Sequence, residues 1–260
     1  MAVDLTALTH RLALAGIRLR HPGAAPEEQQ RLLRQRILGE KTSLRSDHAP
    51  VGPTEMHSAV VGKEQRNMTL STPYDVLTIV AQALDSLNIR YAVVGSIASS
   101  IHGDPRSTND IDIVADLREG HVTAFRDLLD AEFFVDLAMV DDATARRASF
   151  NVIHRFSPYK VDVFVAGVGT LDTLQLAHAT AIPLTDDAST HIQVASAMDT
   201  VLAKLVWRQR GNEVSDRQWR DIVSIVKVQG PALDKKYLQR QAAVLGVDDL
   251  LARALAAGGA

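Results

Sequence analysis

Asp110 and Asp112 stand two residues apart in the run Asp110-Ile111-Asp112-Ile113. Side chains alternate between the two faces of a strand, so the run predicts one acidic face and one apolar face turned to a core. Two carboxylates held this close repel unless a cation lies between them. Mg2+, which takes oxygen ligands, suits the pair, with Mn2+ as the alternative. A strand with one wetted acidic face has the same pattern, so the pair needs a second feature beside it to signify chemistry. Gly95-Ser96 is that feature. It ends the apolar stretch Tyr91–Val94 and opens a short helical pattern, a strand-to-helix turn whose free amides and hydroxyl can hold a phosphate. Glycine there lets the backbone approach a ligand closely.

Taken together, Val94-Gly95-Ser96, thirteen further residues and then Asp110-Ile111-Asp112-Ile113 resemble the signature of the polymerase-beta-like nucleotidyltransferase superfamily. The resemblance implies a nucleotidyltransferase fold with a mixed sheet, and a third carboxylate from a neighbouring strand. Asp162 is the candidate, since it interrupts the apolar strand Val161–Val165 and a buried carboxylate without a partner is costly. Asp116, Asp136 and Asp141 are weaker rivals. Asp110, Asp112 and Asp162 would then be both the catalytic residues and the metal ligands.

The segment from Gly95 through Ile101-His102-Gly103-Asp104-Pro105-Arg106-Ser107-Thr108 to Asp110 resembles more narrowly the AbiEii/MenT-like branch of bacterial toxin nucleotidyltransferases. That likeness implies nucleotide binding by Gly95, Ser96, Arg106, Lys204 and Asp221. Arg106 either forks onto a triphosphate, pairs with Asp104, or holds its loop through Asp110. His102 is expected to pack or hydrogen-bond in the loop. Lys204 lies among apolar helix residues and must find a partner or snorkel outward, and Asp221 would orient Lys204 or Arg217. Gln218 replaces an acid that the branch carries. The implied function is transfer of a nucleoside monophosphate from an NTP to an acceptor hydroxyl, as a toxin-antitoxin-type enzyme acting on RNA, tRNA included. A small-molecule acceptor such as an antibiotic, or a non-catalytic interaction protein on the same fold, are the alternatives.

The elements that must position these residues fit a mixed α/β unit. Leu5, Leu8, Leu12, Ala15 and Leu19 recur at helical spacing, His21-Pro22-Gly23 breaks the pattern, and Pro26-Glu27-Glu28 suits a second helix start. This small helical segment, residues 1–41, is either an antitoxin-like docking element fused in the same chain or a mere accessory pair. Residues 42–67 read as a linker. The catalytic domain spans 68–195, beginning with a helix at Ser71-Thr72-Pro73. Strands are expected at Tyr91–Val94, around Ile111, at Phe150–Phe156 and at Val161–Val165, with a helix over Arg118–Asp130. A helical C-terminal subdomain, 196–260, follows in four helical patterns.

Composition narrows the classes. The chain of 260 residues is 46% hydrophobic and 23% charged, enough to bury a core. It has no cysteine, which excludes disulfides and thiolate metal sites and agrees with a cytoplasmic setting. No apolar run is long enough to span a membrane, and no secretory signal pattern opens the chain. Residues 1–68 carry 10 positive and 7 negative charges, and the remainder 18 positive and 24 negative. An acidic body is not the footprint of a non-specific nucleic-acid binder, and it does not exclude an RNA substrate held by a local basic patch.

Overall fold

A computed structural model describes residues 5–38, 72–184, 190–211 and 213–260. The expected linker at 42–67, with Ser71, lies outside the described residues. Helices α1 (Leu5–Arg20) and α2 (Pro26–Leu38) form an antiparallel hairpin. Ala13, Ile17 and Leu33 form its own small cluster and Leu12 and Ala15 join the main core, whereas Leu19, expected on the apolar stripe, is exposed.

The α/β unit starts with α3 (Pro73–Ser86), whose N-terminus is a capping box between Thr72 and Asp75 with Pro73 at the first position. Asn88, with φ of 54°, turns the chain out of that helix in the left-handed region that asparagine tolerates. Then come β1 (Tyr91–Val93), α4 (Gly95–His102), β2 (Asp110–Ala115), a 3-10 turn at Glu119–His121 and α5 (Val122–Leu129). These are followed by β3 (Phe133–Phe134), α6 (Leu137–Arg146), β4 (Ser149–His154), β5 (Lys160–Val165), α7 (Thr170–Ala177), β6 (Thr180–Pro183) and β7 (His191–Val194). The long helix expected over Arg118–Asp130 is thus a 3-10 turn joined to two turns of α-helix.

The seven strands form one sheet in the order β3-β4-β5-β2-β1-β7-β6. β2 runs parallel to β5 and β1 parallel to β7, and the other pairs are antiparallel. The alternation read from the sequence sets the layers. Ile111, Ile113, Val161, Val163, Phe150 and Val152 face one way, into a core closed by α3, α5 and α6. The opposite face carries Ala92, Val94, Val114 and Phe164 beneath α7, and along the same rows Asp112 and Asp162.

Four helices complete the chain: α8 (Ala197–Arg210), α9 (Asp216–Gln229), α10 (Lys235–Leu245) and α11 (Asp248–Gly258). They have their own core of Val201, Leu205, Ile222, Ile225, Leu238 and Leu251. The architecture is therefore the mixed α/β unit with a helical C-terminal subdomain and an N-terminal helical pair. Among the described residues no helix is long and apolar enough to cross a membrane.

Candidate active site

The parallel pairing of β2 with β5 puts Asp110 opposite Lys160 and Asp112 opposite Asp162. The three carboxylates expected to act together therefore share one face of two adjacent strands. The register also delivers Lys160, whose ammonium donates to both oxygens of Asp162 at 2.8 Å. Asp162 holds the Lys160 ammonium in its charged form, raising its pKa. Lys160 is a site neighbour that the motifs do not mark, although its position two residues before Asp162 in a strand places it on the same face.

Asp112 lies deeper. Burial pushes its carboxyl up, and the charges of Asp162 and Asp110 add to the push; Lys204 and Lys160 oppose it. Its surroundings disfavour the charged form.

The reason Asp112 sits there is Gly95. This residue has φ of 61°, a left-handed conformation that glycine adopts without steric cost, and a Cβ built on it would run into the Asp112 carboxylate. The first turn of α4 is thereby pressed directly onto the acid. No side chain caps that turn, since Val94 occupies the N-cap position, so its amides stay available.

The loop from α4 to β2 is fixed by hydroxyls. Ser100 Oγ accepts from the Arg106 amide at 3.3 Å and donates to the Arg106 carbonyl at 3.2 Å, and Thr108 Oγ1 accepts from the Asp110 amide at 3.2 Å. So held, the Arg106 guanidinium reaches neither Asp104 nor Asp110. Its Nε and Nη2 fork onto Asp221 at 2.9 and 2.8 Å, and Nη2 also donates to Ser96 Oγ at 2.7 Å. Lys204 Nζ donates to the same Asp221 carboxylate at 2.8 Å. Burial lowers the Lys204 ammonium below the ordinary lysine value, although Asp221 pulls it back up. Burial would raise the Asp221 carboxyl, but the Arg106 and Lys204 hydrogen bonds and charges outweigh it and hold it low. Asp221 thus orients Lys204, as expected, and its second cation is Arg106 rather than Arg217. Two cations share one carboxylate, leaving one unit of positive charge beside Ser96.

These residues line a cleft of ≈ 650 Å³ between the sheet and α7, α8 and α9. Gly95, Ser96, Arg106, Asp112, Lys204 and Asp221 surround one end; Gln218 and Arg217 also reach the wall.

The rival carboxylates have other occupations. Asp116 is paired with Arg90 and Arg118 at 3.1 and 3.0 Å, Asp136 caps α6, and Asp141 is exposed on that helix. His102 Nε2 bonds the Ala195 carbonyl at 2.7 Å and takes no part in the cleft.

Among the described residues, no three carboxylate or imidazole side chains are drawn into a closed set of metal ligands. The chemistry of the donors nevertheless suits a hard divalent cation: carboxylate oxygens on two adjacent strands, one of them desolvated and repelled by the others. Closing the set requires Asp162 to exchange Lys160 for the ion.

No family model matches the chain, and no curated protein does. Among solved structures, it is similar to an antigenic nucleotidyltransferase-like protein from Paracoccidioides brasiliensis, with 21% identity, 71% of this chain and 92% of the other covered, and a TM-score of 0.44. It is also similar to the antibiotic-resistance factor ANT(2'')-Ia, with 11% identity, 66% and 94% covered, and a TM-score of 0.42. Both likenesses are loose.

Proposed function

We propose that the chain is a metal-dependent nucleotidyltransferase, moving a nucleoside monophosphate from an NTP to an acceptor hydroxyl. The observation that carries this reading is the contact between Gly95 and Asp112. It sets an uncapped helix turn, suited to phosphate, against a carboxylate whose charge its surroundings disfavour. A turn that serves only to join β1 to α4 has no use for a desolvated acid pressed on its glycine. A triphosphate site that shares a cation with that acid does.

In this reading the acceptor oxygen attacks the α-phosphorus in line. The new O–P bond forms as the bond to the bridging oxygen of the β-phosphate breaks, pyrophosphate leaves, and the hydroxyl proton passes to a carboxylate of the Asp110, Asp112 and Asp162 cluster. Those three residues would hold Mg2+ or Mn2+, which when bound lowers the pKa of the attacking hydroxyl and stabilises the leaving charge. The α4 amides and Ser96 receive phosphate oxygens. Arg106 and Lys204, positioned by Asp221, supply the positive charge facing them.

For the acceptor we infer RNA, tRNA included, as for a toxin-type enzyme. The supporting feature is the continuation of the acidic face across β4 and β3. Asn151 lies opposite Asp162, Ile153 opposite Lys160, and Phe134 opposite Ile153, and Ile153 and Phe134 are 44% and 51% exposed. This open side, carrying an accessible ring, suits a macromolecule with bases to stack. The α1–α2 hairpin docks on α4 of its own chain through Arg20 and Arg36, and we read it as an intramolecular brace rather than a docking arm for a separate antitoxin.

The test is incubation with Mg2+, each labelled NTP in turn and a cell extract. Label is expected in the RNA fraction and absent with Asp110→Ala. Label confined to small molecules would move the function to an antibiotic-type transferase. No label in RNA, protein or small molecules would leave a non-catalytic protein on this fold.

A further inference from the structure

The far end of the cleft has features that phosphate binding does not need. Trp207 follows Lys204 by three residues on α8 and Phe164 follows Asp162 by two on β5, so both continue the faces that bear the phosphate-side residues. Both line the cleft, with ring centroids 6.4 Å apart and planes at 56°, so they tile one wall rather than stack on each other. Trp207 remains 49% exposed, with the Arg210 guanidinium 5.4 Å from its ring centroid.

Across from them is Gln175. It is the one buried residue of α7, only 3% exposed, yet it lines the cleft. Among the described residues its carboxamide has no hydrogen-bond partner. Neither of its polar atoms is among the sealed ones left without a partner, so the carboxamide opens onto the cleft, where a ligand can reach it.

We propose that this end of the cleft is a nucleobase subsite, in which Trp207 and Phe164 form the stacking wall and the Gln175 carboxamide reads the hydrogen-bonding edge of the base. The inference rests on the nucleotide reading above and adds to it how the base is held. A carboxamide offers one donor beside one acceptor, and so matches any base edge with an acceptor beside a donor. Replaced by glutamate it only accepts, and guanine alone presents two adjacent donors, N1–H and the N2 amino group, on one edge.

The experiment measures binding of the four NTPs and of inorganic tripolyphosphate to the full chain with Mg2+ and no acceptor, so that the base reporting is the nucleotide's own. Calorimetry gives affinities, and tryptophan fluorescence in a Trp219→Phe background reports on Trp207. NTPs are expected to quench Trp207 while tripolyphosphate binds without quenching. Gln175→Ala should weaken all four NTPs alike, by about tenfold. Gln175→Glu should shift preference toward GTP by about tenfold, the scale of one bidentate base contact. Neither should change tripolyphosphate affinity. Phe164→Leu should weaken NTPs but not tripolyphosphate, and it decides the matter if the Gln175 variants do not fold. If tripolyphosphate and NTPs bind but the NTP affinities and quenching ignore these substitutions, or respond only once an acceptor is added, the base subsite is overturned while the nucleotide reading stands. If neither ligand binds, both fall.

Discussion

At its first turn α4 offers Gly95 and Ser96 to a cleft; at its last turn it is sealed. There Arg36 Nη2 donates to the carbonyls of Ser100 and Ile101 at 3.2 Å each and to that of Gly103, Nη1 donates to Ala13 at 3.3 Å, and Arg20 Nη1 adds a 3.2 Å bond to Ile101. Gly16 lets α1 close on that end, because a Cβ there would run into the Ile101 carbonyl. Burial pulls the Arg36 pKa down to about 9, with Arg20 adding repulsion and Asp104 giving partial relief. Both ends of the helix therefore hold buried cations. At the closed end the Nη donors of Arg36 and Arg20 go to backbone carbonyls, leaving Arg36 Nε buried without a partner, and positive charge there also suits the negative pole of the helix. At the open end Arg106 and Lys204 share a single carboxylate and border the cleft. A cation whose donors end on carbonyls holds a fold together; one balanced on an acid beside a cavity keeps charge for a ligand.

The comparison is broken most directly at the open end. Asp112→Asn should reduce nucleotidyl transfer by at least about a hundredfold, the scale of losing one preorganised electrostatic group. Because burial and its acidic neighbours disfavour the Asp112 charge in the folded state, the melting temperature should hold or rise. Transfer assays and thermal melts check both, and a variant that loses stability along with activity would put Asp112 among the structural residues.

At the closed end the expectation reverses. Arg36→Met keeps the bulk but takes the guanidinium donor from the carbonyls of Ser100 and Gly103 and leaves Ile101 only that of Arg20, and urea unfolding should show a loss of roughly 2–3 kcal/mol. Transfer per folded molecule, measured well below the melting point, should stay near the parent value. A large fall in activity at full folding would show that the brace also tunes the opposite end.

His102 sits at the closed end as well, and burial first, then Arg20 and Arg36, lower its pKa to about 4, against a rise from the Ala195 hydrogen bond. The folded chain thus excludes a proton that the unfolded chain binds below the ordinary value of 6.5. Stability from this residue is complete above that value and is lost as pH falls toward 4. Between pH 7 and 5 the loss should be about 2 kcal/mol. His102→Gln, which cannot titrate, should flatten that part of the urea-midpoint profile; an unchanged slope would assign it to other groups.

The two ends were not equally legible in the sequence. Gly95, Ser96, Asp110 and Asp112 stood out because their types and spacing carry the chemistry, and strand alternation alone placed Ile111 and Ile113 in the core. The bonds of Arg106 were not readable, since its partner Asp221 is 115 residues away and only the docking of α9 on α4 brings them together. The closed end was invisible for the same reason: Arg36 and Arg20 read as charges at the ends of two helices, and their targets are carbonyls that no sequence pattern marks. α7 escaped because its one buried position holds Gln175, so the apolar periodicity that reveals a helix fails where a polar group faces the cleft. Lys160 was overlooked although the same alternation that placed Asp162 also places it.

The smallest effect is expected from the residue that links the comparison's two halves in sequence, Arg106 on the loop that leaves the closed end and returns to the open one. Arg106→Lys keeps the charge but cannot fork onto both oxygens of Asp221 and still reach Ser96. Lys204 would continue to balance Asp221, so folding stability should fall by less than about 1 kcal/mol. The ligand should register the change more than the fold does: the KM for NTP should rise by about tenfold, or about 1.4 kcal/mol, with kcat altered less, because the charge remains while its direction is lost. Steady-state kinetics on the variant separate the two. If instead KM holds and the chain melts early, Arg106 belongs with Arg36, and the open end keeps its ligand charge on Lys204 alone.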